Sequence, residues 1–241
     1  MGRSGSKPEG PERFNPLITN LSDSVLLASQ GLVRNILYYN KSNPVFGMDY
    51  THQLLENRNL LSNGFESRNE QLNLGSLRWN FWRALTVIQE VRWGSKQTRS
   101  DFLNGRNFLI QYALLQPKLT YQPSPLLKVS ALAQYADKRN TMGDERALVR
   151  KLGAECTWNV PEKGGIRSEV NLYAIDYNGA TTNSLAFEML EGLQPGYNYT
   201  WLVSWQRNVA DNIQLNIQYN GRKPQDLKTI HAGSVQVRAV F

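Results

Sequence analysis

The chain has 241 residues, of which 41% are hydrophobic and 10% aromatic, with a formal net charge of +7 and a mean hydropathy of −0.47. No apolar run reaches helix-spanning length, which excludes a transmembrane helix. It does not exclude a transmembrane barrel, because strand alternation halves the apolar content. The basic residues are scattered, so nucleic acid is not an expected partner. The single cysteine, Cys156, excludes an internal disulfide, and with only His52 and His231 far apart in sequence neither a metal site nor a cofactor is expected.

Residues 1–14 are polar and rich in Gly and Pro, without the apolar core of a secretion signal. We expect them to be disordered or a linker, with 15–241 forming a single β-barrel domain. We also expect the chain to be the C-terminal piece of a longer polypeptide with upstream domains, against the competing reading of a complete cytoplasmic protein.

From there the sequence alternates with period two, the mark of strands. Val33, Leu37 and Tyr39 mark the first, and Phe46, Met48 and Tyr50 the second. Leu72 and Leu74, then Leu77 and Trp79, mark a third with a slip at Gly75. Leu85, Val87, Val91 and Trp93 follow. The stretch from Phe108 to Tyr121 changes parity near Pro117, which suggests a bulge or bend. Leu127 to Asp137 sets Val129, Ala131, Ala133 and Tyr135 against Lys128, Ser130 and Gln134. Next, Leu152, Ala154, Cys156 and Trp158 oppose Lys151, Glu155 and Thr157, and Val170, Leu172 and Ala174 oppose Arg167, Glu169 and Asn171. Ser184–Leu190 does not alternate and reads as one or two helical turns. Tyr199, Trp201, Val203 and Trp205 share one strand face, and Ile213, Leu215, Ile217 and Tyr219 another, with Gln214 and Gln218 between the latter. The last strand places Val235, Val237, Ala239 and Phe241 on one face and Arg238 on the other. That makes eleven strands, and Leu17–Leu27 offers a twelfth.

The connections alternate in length. Asn40–Pro44, the Asn80 region, Gln122–Pro125, Asn159–Gly165 and Asn208–Asp211 read as short. Leu54–Glu66, Gly94–Gly105, Lys138–Glu145, Asn178–Tyr197 and Gly221–Gly233 read as long. Short turns at one end and long loops at the other characterise outer-membrane meanders. The expected fold is therefore all-β, an antiparallel up-and-down meander forming a transmembrane β-barrel of about 10–12 strands, or the C-terminal part of a larger one.

Leu185–Gly196 with Asn198-Tyr199-Thr200-Trp201 resembles the C-terminal region of large, poorly characterised outer-membrane proteins of Bacteroidetes-type bacteria. So do Asn220–Lys223, Ile230–Gly233, Val235–Ala239, Arg34-Asn35, Phe46–Tyr50 and Asn63–Arg68. The likeness runs from about Phe14 onward. It implies an outer-membrane location and a barrel architecture, and no assigned chemistry.

This reading assigns Tyr199, Trp201, Val203, Trp205, Ile213, Leu215, Ile217 and Tyr219 to lipid or to an aromatic girdle. Trp79, Phe81, Trp82 and Trp158, near short-turn ends, suit a girdle better than a carbohydrate platform. Lys151, Glu155, Arg167, Glu169, Gln214, Gln218 and Arg238 belong to the lumen, joined by Arg78, Glu90 and Asp49, with Lys151–Glu155 and Arg167–Glu169 as candidate ion pairs. Val235, Val237, Ala239 and Phe241 would form the terminal signal that barrel-assembly machinery reads. The partners are then that machinery and the bilayer of the outer membrane, and the role is anchoring, assembly or transport through a closed or narrow lumen. Two alternatives stand beside it. One is a soluble all-β binding module for a glycan-type ligand. The other is a barrel hydrolase with His231, Ser234 and Asp226 at its rim, although closeness in sequence is not triad geometry. No catalytic residue is assigned.

Overall fold

The computed structural model describes residues 2–5, 26–61, 64–210 and 212–239. Its strands are β1 (Gly2–Gly5), β2 (Leu26–Tyr39), β3 (Phe46–Leu61), β4 (Gly64–Trp82), β5 (Leu85–Ser100), β6 (Phe108–Tyr121), β7 (Leu127–Asn140), β8 (Arg146–Val160), β9 (Gly164–Tyr177), β10 (Gly196–Ala210), β11 (Ile213–Pro224) and β12 (Ile230–Ala239). Among the described residues one α-helix, α1 (Ser184–Leu190), lies between β9 and β10, and a 3-10 turn, Asn104–Arg106, between β5 and β6. Every strand pairs antiparallel with its neighbours in sequence, in the order β1 to β12. The fold is thus the expected all-β up-and-down meander. Among the described residues no ladder joins β12 back to β1 or β2.

The eleven long strands, β2–β12, are the eleven read from the sequence. The short β1 comes from the N-terminal stretch expected to be disordered or a linker, where Gly2–Gly5 pair with residues 26–30 of β2. The proposed extra strand at Leu17–Leu27 lies outside the described residues up to Val25, and Leu26 and Leu27 open β2.

Two expected irregularities are absent. Across Gly75 the register runs unbroken, with Leu74 opposite Thr51, Gly75 opposite Tyr50 and Leu77 opposite Met48. Around Pro117 the pairs Leu115–Tyr135 and Lys118–Leu132 keep one register, and the β6–β7 ladder merely omits residues 116 and 117. Proline has no N–H to give that ladder. The apparent slips are changes in what the interior holds. Directly opposed residues share a face, and this parity puts Leu72, Leu74, Phe108, Ile110 and Leu114 inward. It puts Leu77, Trp79, Leu115, Leu119 and Tyr121 outward. The apolar residues switch faces while the backbone does not.

The segregation of loop length also largely disappears. β3 runs to Leu61 and β4 starts at Gly64; β5 continues to Ser100, β7 to Asn140 and β11 to Pro224. Three of the five expected long loops are mostly strand, and Lys138–Glu145 shrinks to a connection over 141–145. Their sequences, such as Asn57-Arg58-Asn59 and Glu66–Gln71, are polar on both faces, so alternation vanishes although the ladder persists. The long connection that remains is 178–195, which carries α1.

Burial in this sheet is inverted relative to a soluble one. Val129 is 40% exposed beside Ser130 at 2%, and Val170 is 56% exposed beside Asn171, which is buried. On a soluble antiparallel sheet the apolar member of each pair would face the core. Here Ser130 and Asn171 take the inner face at these positions, and Leu152, Val170, Trp158, Val235 and Val237 stand exposed on the outer one.

Candidate functional site

The apolar core of the molecule is built around α1. Asn183 caps its N-terminus, its Oδ1 accepting from the Ala186 N–H at 2.7 Å. Glu191 (φ 55°) and Gly192 (φ 73°) close the C-terminus in the left-handed region, where the Gly192 N–H donates to the Phe187 carbonyl at 3.1 Å. The spacing of Leu185, Ala186, Met189 and Leu190 puts four buried residues on one helical face. They pack against Phe108 and Ile110 of β6, Ala136 of β7, Ala147 and Val149 of β8 and Ile175 of β9. All six of these strand residues lie on the inward face.

Polar tethers hold the loop from several sides. Lys138 of β7 donates from Nζ to the Met189 carbonyl at 2.9 Å and to Glu191 Oε1 at 2.6 Å. Lys96 of β5 reaches Glu188 Oε1 at 2.8 Å. Arg222 of β11 donates to the Gly192 carbonyl at 2.9 Å. Asn198, fully buried at the start of β10, both donates to the Gln194 carbonyl and accepts from its N–H. In a flat sheet β5 and β11 would stand roughly 29 Å apart, six spacings of about 4.8 Å. Glu188 reaches the first and the Gly192 carbonyl the second, only four residues apart, so the sheet curls around the loop.

Between α1 and the inner wall of β3–β5 lies a cavity of about 510 Å³. Glu66, Arg68, Glu70, Lys96, Arg106, Phe187 and Glu188 contribute to its lining. Its charges neutralise one another: Glu66 lies 2.9 Å from Arg68 and 3.6 Å from Arg106, and Lys96 4.0 Å from Glu70. Farther down the interior, Glu155 sits between Lys118 at 3.0 Å and Arg167 at 3.2 Å, and Arg167 reaches Glu169 at 3.6 Å.

The register places Lys151, Glu155, Arg167, Glu169, Gln214, Gln218 and Arg238 on the inward face. Arg167–Glu169 forms as expected. Lys151–Glu155 does not: four strand residues span roughly 13 Å, so Glu155 pairs across strands and Lys151 lies over the Tyr173 ring at 5.3 Å. Tyr199, Trp201, Val203, Trp205, Ile213, Leu215, Ile217 and Tyr219 all lie outward, as do Val235, Val237 and Ala239. Phe241 lies outside the described residues.

His231 is outward too, its Nδ1 2.8 Å from the Tyr219 hydroxyl and its ring stacked on that of Tyr219. Ser234 is on the opposite face of β12, so these two do not form a hydrolytic pair. His52 meets the Asn73 side chain at 2.8 Å. Among the described residues no group of three or more His, Cys, Asp or Glu is placed to hold a metal ion.

No family model and no curated protein matches the chain. Among solved structures it is similar to a NanC porin, with 14% identity and a TM-score of 0.41, over 89% of this chain and 100% of that one.

Sequence reasoning missed Lys96, Lys138, Glu188, Glu191 and Arg222. The signal for them was indirect: a non-alternating helical segment, and a run of inward parity in the apolar residues of β6 that calls for an apolar occupant.

Proposed function

We propose that the chain is an outer-membrane β-barrel module that anchors or conducts through a narrow lumen partly filled by its own 178–195 loop. The observation that carries this reading is the inverted burial of adjacent residues such as Val170 and Asn171, which suits lipid outside and a hydrated interior. On this reading Tyr199, Trp201, Val203, Trp205, Ile213, Leu215, Ile217 and Tyr219 contact lipid or its interface. Lys151, Glu155, Arg167, Glu169, Gln214, Gln218 and Arg238 line the lumen. Val235, Val237, Ala239 and Phe241 form the terminal signal for assembly machinery, and the Bacteroidetes-type resemblance supplies the kind of parent protein, including upstream domains. A sheet of about twelve strands leaves a narrow passage, since wide aqueous pores need roughly 16. The inward loop and the ion pairs of Glu66, Glu155 and Lys96 narrow it further. The soluble glycan-binding and rim-hydrolase readings gain no comparable support.

The test is refolding into liposomes, followed by SDS gels of cold and boiled samples. A faster cold band that shifts on boiling is the expected result. A well-behaved monomer in plain buffer, with no shift, would overturn the membrane reading.

A further inference from the structure

On the outer face, immediately beyond the apolar residues, the strands carry an unusual arrangement of guanidinium groups. Asp137 of β7 receives two arginines at once. Arg146 of β8 donates from Nε at 2.9 Å and from a terminal nitrogen at 2.7 Å. Arg139 donates to the same two oxygens at 3.5 and 3.0 Å. Next to them Arg150 pairs with Asp176 of β9. Three guanidinium groups therefore face two carboxylates. Each of Arg139 and Arg146 spends two of its five N–H donors on Asp137. Three remain on each, and the side chains are 60% and 49% exposed. A shared carboxylate thus holds two forks in place without neutralising them.

Two features of the surroundings say what would meet these donors. Along the same outward face of β7, β8 and β9 lie Tyr135, Leu152 and Val170, all exposed. Beside Arg139 opens a shallow cavity of about 590 Å³ lined in part by Gln71, Trp93, Ser95 and Gln111. A phosphate suits the paired guanidinium forks, amides and an indole suit a sugar, and the apolar face suits acyl chains.

We propose that Asp137, Arg139 and Arg146, with the neighbouring Gln71, Ser95 and Gln111, form an outward-facing site for the phosphorylated sugar head group of a glycolipid in the surrounding leaflet. The site rests on the membrane reading above and adds a lipid class to it. Arg139 and Arg146 take the phosphate, the amides and Trp93 take the sugar, and Tyr135, Leu152 and Val170 take the chains.

The experiment refolds the full chain into phosphatidylcholine vesicles containing either lipid A or phosphatidylglycerol at equal charge, then counts retained lipid by native mass spectrometry after detergent extraction. The heat-modifiable gel band, read in parallel, reports barrel formation independently. Lipid A should be retained in preference to phosphatidylglycerol. The double variant Arg139→Gln/Arg146→Gln should lose retention by about tenfold, as expected for the loss of charge-assisted forks, with its gel shift intact. The Arg139→Lys/Arg146→Lys pair keeps the charge but not the fork, and should fall between. Gln71→Ala/Gln111→Ala should erase the preference over phosphatidylglycerol. Equal retention by wild type and the double variant would overturn the proposal. Displacement of lipid A by millimolar inorganic phosphate would reduce the site to one for free anions, which also overturns it. A missing gel shift in every vesicle would remove the membrane reading, and the proposal with it.

Discussion

Lys138, on the inner wall of β7, and Glu191, at the end of α1, meet at 2.6 Å although 53 residues separate them. The same ammonium group also takes the Met189 carbonyl, and its side chain is only 10% exposed. This contact fixes the C-terminal end of the helix to the wall. Replacing Lys138 by Ala should loosen the seat of the loop by about 1–2 kcal/mol, a figure kept low because Glu191 is half exposed and regains water. Amide hydrogen exchange over residues 184–193 should speed up accordingly, and any conductance in planar bilayers should rise. Unchanged exchange would show that apolar packing alone holds α1.

The helix cap offers a second, independent handle on the same loop. Asn183→Ala removes the acceptor for the Ala186 N–H and should cost about 1 kcal/mol. Asn183→Asp should retain most of the protection. The exchange rates of residues 185–187 are the readout, and strands β2–β5 should be unaffected in both variants.

Opposite substitutions on the two faces separate a lipid-facing wall from a wetted one. Val203 is exposed on the outer face of β10, whereas Gln214 faces inward on β11. Val203→Arg should destabilise the inserted state by about 2–4 kcal/mol near the bilayer midplane, reducing the heat-modifiable fraction. Gln214→Arg should leave it nearly unchanged. Equal tolerance of the two would contradict a membrane setting.

Glu155 pairs with both Lys118 and Arg167, and Arg167 has a second partner in Glu169. The exposure of these side chains is low, 16% for Glu155 and 26% for Lys118. Glu155→Gln should therefore cost about 1–3 kcal/mol, chiefly by stranding Lys118. Lys118→Met in the same chain should recover a large part of that loss. A double-mutant cycle measured by urea unfolding from vesicles would report the coupling, and additive effects would mean that water already serves both groups.

At Gly221 the indole of Trp201 lies across the strand in the space a side chain would occupy. The Trp201 ring also stands 5.9 Å from His231. Gly221→Ala should push the indole off this seat, shifting Trp fluorescence and the near-ultraviolet dichroism while leaving the sheet intact. Identical spectra would place the ring elsewhere in solution.

Much of the sheet was legible because each strand solves one local problem. Where one face is apolar and the other polar, parity alone assigns sides, and Val203, Ile217, Glu155 and Gln218 fall where alternation puts them. The same signal failed at strand ends such as Asn57-Arg58-Asn59, where polar residues on both faces erase the period but not the backbone ladder.

The sequence by itself determined the all-β class, the antiparallel meander, the facing of most strands and the helical turn at Ser184–Leu190. Only the tertiary structure decided that this helix folds inward, that Lys96, Lys138 and Arg222 hold its loop, and that two arginines share Asp137 on the outer face. Alternation is a property of neighbours along the chain and is read residue by residue. Lys96 and Glu188 lie 92 residues apart, and what brings them together is the curl of a whole sheet around an apolar helix face, to which no local period corresponds.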